Sequence, residues 1–283
     1  MAQKKNKKNK VEVEQKQDKE VSDEERRKAE MYHAEAEKYY ILDDMAKAFV
    51  LYQRSLESDP GNATAYYKIA QIYLNSKDTE KALFNAQKAI ELDGSNRYFY
   101  LLLADIYTKK ADFAGAASTY EKMIATCDNA DEYLFELAAI YVYQEKFDKA
   151  LQVYDRIEEK FGLNEQVIAQ KQKLYIQQSK LDLAIAEGEK LIKAFPGESR
   201  YVLMLAEILI SNEQDQKAVP YLEDLLSDYP DNARALLMLA DYYRKHNEVE
   251  KSNTYLNRAF SISDLDIEPK IQVLYSFCKT PQC

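Results

Sequence analysis

One spacing governs this chain: turn-forming residues return every 34 positions, at Pro60, Gly94, Asp128, Gly162, Pro196, Pro230 and Asp264. Twelve residues before each stands a small side chain, Ala48, Ala82, Ala116, Ala150, Ala184, Ala218 and Ser252. Twenty-one before stand Tyr39, Tyr73, Tyr107, Tyr141, Tyr175, Leu209 and Tyr243, and twenty-four before stand Ala36, Ala70, Ala104, Ala138, Gln172, Ala206 and Ala240. Small aligns with small, except at Gln172, and aromatic with aromatic, except at Leu209, over seven copies without an insertion. Such a period means one supersecondary unit stacked on copies of itself, since a single unit cannot bury its own apolar face.

The unit is a pair of helices. Apolar residues fall at steps of three and four, as in Tyr66, Ile69, Ala70 and Tyr73, or Tyr100, Leu103, Ala104 and Tyr107, which places them on one helical face. The alanine rows let two backbones approach while the tyrosine fills the space between them. Asn62, Asn96, Asn164 and Asn232 stand just ahead of the first helix of their units, where an Asn side chain caps free N–H groups. Ser22 and Glu25 fit a capping box that opens the first helix. Proline at 60, 196 and 230 ends the second helix. Only 6 Gly and 6 Pro in 283 residues, with 31% charged and 46% hydrophobic content, leave little material for strand-turn-strand folds.

These residues resemble the tetratricopeptide repeat (TPR) family, a bacterial-type array: small residues at the eighth and twentieth positions of a 34-residue unit, Tyr at the eleventh, Pro at the thirty-second. The resemblance covers roughly residues 29–266. It implies an all-α fold, a right-handed alpha-alpha superhelix or TPR solenoid. That fold has about seven 34-residue helical hairpins, with turns near Pro60, Gly94, Asp128, Gly162, Pro196 and Pro230, plus a C-terminal partial or capping helix. The family's usual Trp is replaced by Tyr32, Tyr66 and Tyr100, then Leu134, Ile168, Val202 and Leu236. The fifth repeat departs further, with Gln172 and Gly188, which predicts looser packing there.

The domain reading is a polar N-terminal arm over residues 1–21, expected to be disordered; a seven-repeat array over 22–266; and over 267–283 a capping helix or the start of an eighth repeat. Residues 1–28 carry 10 Lys or Arg against 7 Asp or Glu, a net +3 that leaves −12 on the remainder of a chain whose total is −9. Nucleic acid is therefore not expected as the main ligand, because phosphates need a basic face. The arm, with lysines from Lys4 to Lys10, reads first as a solvated linker and second as a contact to an anionic membrane. No apolar run is long enough to span a bilayer. As written the chain reads as soluble and cytoplasmic; a periplasmic or surface-associated home is the alternative if a signal peptide was removed before Ala2.

No catalytic constellation, cofactor motif or metal site emerges, and no small-molecule substrate is expected. Two histidines, His33 and His246, some 200 residues apart, offer no catalytic triad. His33 with Glu30 and Glu37 has metal-ligand character on paper, but reads as a solvated charged face. Cys127, Cys278 and Cys283 lack a disulfide or zinc spacing, and Cys127 is expected to be an inert buried thiol.

The resemblance places the fifth, ninth and twelfth positions of each unit in a concave groove. The fifth-position row is His33, Tyr67, Leu101, Phe135, Ala169, Leu203 and Leu237; the twelfth is Tyr40, Leu74, Thr108, Val142, Ile176, Ile210 and Arg244; the ninth is Glu37, Gln71, Asp105, Ala139, Lys173, Glu207 and Asp241. An apolar stripe flanked by acids would seat a protein or peptide that is basic or amphipathic. The anchors are expected in the second to fourth repeats: Tyr67, Gln71, Leu74, Leu101, Asp105, Phe135 and Val142. The functional expectation is a non-enzymatic protein-interaction scaffold. The alternative is a subunit that uses its array ends to oligomerise or dock in a larger assembly. The Lys and Asn pattern with which some family members grip an acidic C-terminal peptide is absent.

Overall fold

A computed structural model of the chain describes residues 21–262. It contains fourteen α-helices and no strand among the described residues. The first unit-pairs are α1 (Asp23–Ile41) with α2 (Met45–Ser58), α3 (Ala63–Asn75) with α4 (Thr79–Leu92), and α5 (Arg97–Lys109) with α6 (Phe113–Thr126). There follow α7 (Leu134–Tyr143) and α8 (Phe147–Phe161), α9 (Glu165–Gln177) and α10 (Leu181–Ala194), α11 (Ser199–Ser211) and α12 (Asp215–Asp228), α13 (Ala233–Lys245) and α14 (Val249–Ser261). The 34-residue period is thus a helix pair at every step. The expected arm, the stretch 267–283 and Cys278 and Cys283 lie outside the described residues.

The predicted caps are in place. Ser22 and Glu25 form the reciprocal capping box, and the side chains of Asn62, Asn96, Asn164 and Asn232 each accept from a backbone N–H in the first turn of the helix they open. The fourth unit lacks such a cap; Asn129 is left-handed and a short 3-10 turn, Ala130–Tyr133, leads into α7.

Pro60, Gly94, Asp128, Gly162, Pro196 and Pro230 lie in the links between successive pairs, not at the hairpin tips. The tips are another seven-fold row: Asp43, Lys77, Ala111, Glu145, Ser179, Glu213 and Asn247, all at φ between 56° and 64°. At each tip the N–H two residues past the first helix's C-cap donates back to the eleventh-position carbonyl, as in Asp44 to Tyr39 (2.9 Å) and Asp78 to Tyr73 (2.9 Å). The left-handed residue's own N–H donates to the next carbonyl, as in Lys77 to Leu74 (3.0 Å). This double return satisfies two carbonyls a helix end would otherwise orphan, and glycine is its usual pivot. Here none of the seven is glycine, so the closure of the hairpin holds each against a backbone preference of about 1–2 kcal/mol.

The chain falls into two compact units, one up to Ile140 and one from Tyr141. In the first, Ala36, Ala48, Leu51, Tyr52, Ala65 and Ile69 form one core cluster, and Ala70, Ile90, Phe99, Tyr100, Ile106 and Met123 belong to another. Cys127 is a buried free thiol at the edge of the latter. In the second unit Leu205, Leu209, Leu222, Leu236 and Leu239 lie in the main cluster. Every alanine of the two predicted small-residue rows is at most 1% exposed. Ser252, which replaces alanine in the last copy, is also buried and donates to the Ala240 carbonyl at 2.7 Å.

The fifth repeat is not looser, as its sequence predicted, but differently filled. Gln172 is buried and its Nε2 donates to the Ala184 carbonyl at 3.0 Å. A Cβ on Gly188 would come within 2.7 Å of that nitrogen, so the glycine makes the room the glutamine occupies. Next to it sits a feature the sequence reading missed. Lys171 occupies the seventh position, a core site held by Ile69, Leu103, Leu137, Leu205 and Leu239 in other units, and it is 0% exposed. Its ammonium meets Asp155 (2.7 Å), Glu158 (2.9 Å) and Glu187 (2.9 Å), with Lys190 closing the group at 2.7 Å from Glu187. Burial alone would drive the lysine's pKa down; hydrogen bonds to Asp155, Glu187 and Glu158 outweigh it and hold the group above the usual lysine range.

Candidate functional site

The expected anchors of the second and third repeats stand on α3 and α5, which touch one another. Tyr67, Gln71 and Leu74 repeat at steps of four and three on α3, and Leu101 and Asp105 at a step of four on α5, so each set shares one face. That face is well used by the fold itself. The Tyr67 ring lies 5.1 Å from that of Phe99. The Tyr67 hydroxyl accepts from Gln71 Nε2 at 2.9 Å, and Gln71 Oε1 accepts from the Tyr40 hydroxyl of α1 at 3.3 Å. Leu74 and Leu101 are half-buried against the core. Tyr67 and Gln71 are therefore packing and hydrogen-bonding neighbours between first helices. Asp105 and Phe135 are exposed, and Val142 is half-buried on the same helix as Phe135.

The ninth-position acids are already paired within the chain. Glu37 receives Lys68 Nζ at 3.0 Å and the Tyr52 hydroxyl at 2.6 Å. Burial opposes its ionisation, but Tyr52 and Lys68 prevail and hold its pKa below the ordinary value. Asp105 pairs with Lys109 at 2.6 Å, Glu207 with Arg234, and Asp241 with Arg244 (2.6 Å) and Lys245 (2.8 Å). Lys173, exposed, has no ion pair among the described residues. The acidic flank read from the sequence is thus largely neutralised by neighbouring cations.

His33 sits 3.7 Å from Glu37 and its ring 5.4 Å from that of Tyr52. Burial lowers its pKa, against the pull of Glu37 and with the help of Lys68, so near neutral pH it is an uncharged packing residue. Among the described residues no three His, Cys, Asp or Glu side chains gather to hold a metal ion, and no helix is long and apolar enough to cross a membrane.

An open groove lies elsewhere on the first helices, between α9 and α11. Its volume is about 560 Å³; Ala169, Ile176, Met204 and Ile208 give it apolar walls, with Lys173 and Gln177 among its polar residues. Ala169 is the smallest member of the fifth-position row, where Tyr67, Leu101, Phe135, Leu203 and Leu237 are bulky. That gap was readable in the sequence; the use of Met204 and Ile208, outside the three rows, was not.

Models of the tetratricopeptide repeat match residues 51–84, 100–132 and 199–242. Comparison with curated proteins finds no match. Among solved structures, a complex titled Naa15/Naa10 bound to HypK-THB aligns at a TM-score of 0.60 and 14% identity, over 88% of this chain and 42% of that one. A tetratricopeptide repeat protein from Parabacteroides merdae aligns at 0.46 and 15%, over 88% and 98% of the two chains. YrrB, titled a TPR protein with an unusual peptide-binding site, aligns at 0.41 and 22%, over 65% and 95%.

Proposed function

Because the chain belongs to the tetratricopeptide repeat family, whose members are generally non-catalytic and mediate protein–protein interactions, we propose that it is a scaffold that seats a peptide or protein segment along the faces of its first helices. The observation that carries this reading is the open apolar groove between α9 and α11. Its size and lining match what an apolar side chain of a ligand needs, with a few polar groups to orient it. Leu101, Asp105, Phe135 and Val142 extend the same reading to earlier first helices, with Leu74 beside them. Tyr67 and Gln71 contribute there by holding α1, α3 and α5 in register. With the acids paired in the chain, amphipathic character in the ligand matters more than positive charge.

A displayed library of short amphipathic peptides, selected on the full chain, supplies a ligand to titrate. Ala169→Phe should fill the groove and Leu101→Glu should charge the apolar face; each is expected to weaken binding while helix content stays unchanged. Lys149→Ala, on a second helix, serves as the control. Equal binding by all three variants would remove the first-helix faces from consideration. A ligand-free chain that sediments as a stable oligomer would favour the assembly-subunit reading instead.

A further inference from the structure

The sixth repeat breaks the pattern of its second helix twice, and both breaks face one groove. At the twenty-sixth position six units carry a cation: Arg54, Lys88, Lys122, Arg156, Lys190 and Arg258; the sixth carries Asp224. Four residues, about one turn, earlier in the same helix, Pro220 stands inside α12. Proline has no N–H to give the carbonyl four residues back, so the Gln216 C=O lacks its ordinary helical donor. Between α10 and α12 these residues line an open groove of about 730 Å³, with Ile185, Pro220 and Tyr221 as apolar floor and Asp182, Lys217 and Asp224 as rim.

The rim is rich in acceptors. Lys217 reaches Asp182 at 3.3 Å, but Asp182 is 91% exposed and Lys217 52%, a pair that water and salt screen. Asp224 is exposed and has no partner among the described residues. The Tyr221 hydroxyl donates to Glu189, adding a carboxylate beside the ring and leaving the ring as a wall. Asp182, beside Lys217, marks one end of the floor and Asp224 the other. Seven residues of helix separate Lys217, where Asp182 meets α12, from Asp224, roughly 10 Å, a span of about three to four extended residues.

We propose that this groove, on the second helices and separate from the first-helix faces, docks a segment of a partner protein with arginines on both sides of an aliphatic residue. The aliphatic side chain covers Ile185 and Pro220. One guanidinium pairs with Asp224, and the other meets Asp182. Arginine suits both ends, since its planar fork matches carboxylates and stacks on an aromatic ring such as that of Tyr221.

The test is a methyl and amide NMR titration of the full chain with the capped peptide acetyl-Arg-Gly-Leu-Gly-Arg-amide, and in parallel with acetyl-Glu-Gly-Leu-Gly-Glu-amide. The basic peptide should shift the Ile185 methyl and Tyr221 amide signals, and the acidic one should leave them in place. Asp224→Lys, which restores the charge carried by the other units and sits on the surface, should weaken the basic peptide about tenfold or more with an unchanged circular dichroism spectrum. A silent Ile185 methyl, equal responses to both peptides, or full affinity in Asp224→Lys would overturn the proposal. So would an Ile185 methyl that moves when residues 1–20 are removed from the free protein, which would give the groove to the chain's own basic arm.

Discussion

Replacing Lys171 by methionine keeps the length and much of the volume of the side chain but removes the cation from the center of three carboxylates. Glu158 and Glu187 keep only 15% and 9% of their side-chain surface exposed, while Asp155, at 54%, can turn to water. One oxygen of Glu158, Oε1, is buried without a hydrogen-bond partner even with the lysine present. Removing one partner of a buried ion pair costs about 3–5 kcal/mol, because the charge left behind stays desolvated. Lys190 remains 2.7 Å from Glu187 and 3.4 Å from Glu158, so the lower end, about 3 kcal/mol, is the expectation. Equilibrium unfolding in urea, which leaves ion pairs unscreened, measures it as a fall in midpoint at constant slope. Hydrogen exchange in α9 localises it. The decisive companion is Lys171→Leu with Glu158→Ile and Glu187→Val, which installs the apolar residues found at these positions in other units. Replacing a whole buried ionic group by packed apolar residues is commonly neutral or stabilising, so this variant should recover the loss. A single variant within about 0.5 kcal/mol of the parent, the range of an ordinary surface change, would refute the reasoning. A triple variant as unstable as the single one would refute it equally.

Ala116→Leu and Ala150→Leu, both at 0% exposure, should overpack their helix pairs and cost about 1–3 kcal/mol in the same unfolding assay. Ala111→Gly relieves a left-handed alanine at φ 56° and should raise stability by about 0.5–1 kcal/mol, seen as a higher midpoint. Tyr221 and Tyr243 are both pushed up to about 12, by burial first and then by bonds to Glu189 and Glu223. A raised folded-state value means their contribution is complete below the unfolded value near pH 10 and is lost as pH rises through 12. Tyr243→Phe should therefore flatten the decline of melting temperature over that alkaline window.

By itself the sequence determined the unit and its interior. A strict 34-residue spacing, small residues in two fixed rows and asparagines ahead of the first helices are local facts. They required two close-packed helices, and the alanine rows are as buried as that demands. The tips were illegible because glycine, the usual signal of a left-handed pivot, is absent from all seven; only the closed hairpin holds Lys77 or Glu145 there. The candidate site divides along the same line. The rows of exposed and half-buried positions could be written down from periodicity, but what each side chain does depends on what the neighboring unit sets against it. Tyr67 meets Phe99, Glu37 meets Lys68, and Asp224 meets no cation among the described residues. Lys171 shows the reason most clearly. As a sequence symbol it is a surface residue, yet three carboxylates from α8 and α10 converge on it and make burial of its charge tolerable. Period is encoded within a unit; pairing is settled only where one unit packs against the next.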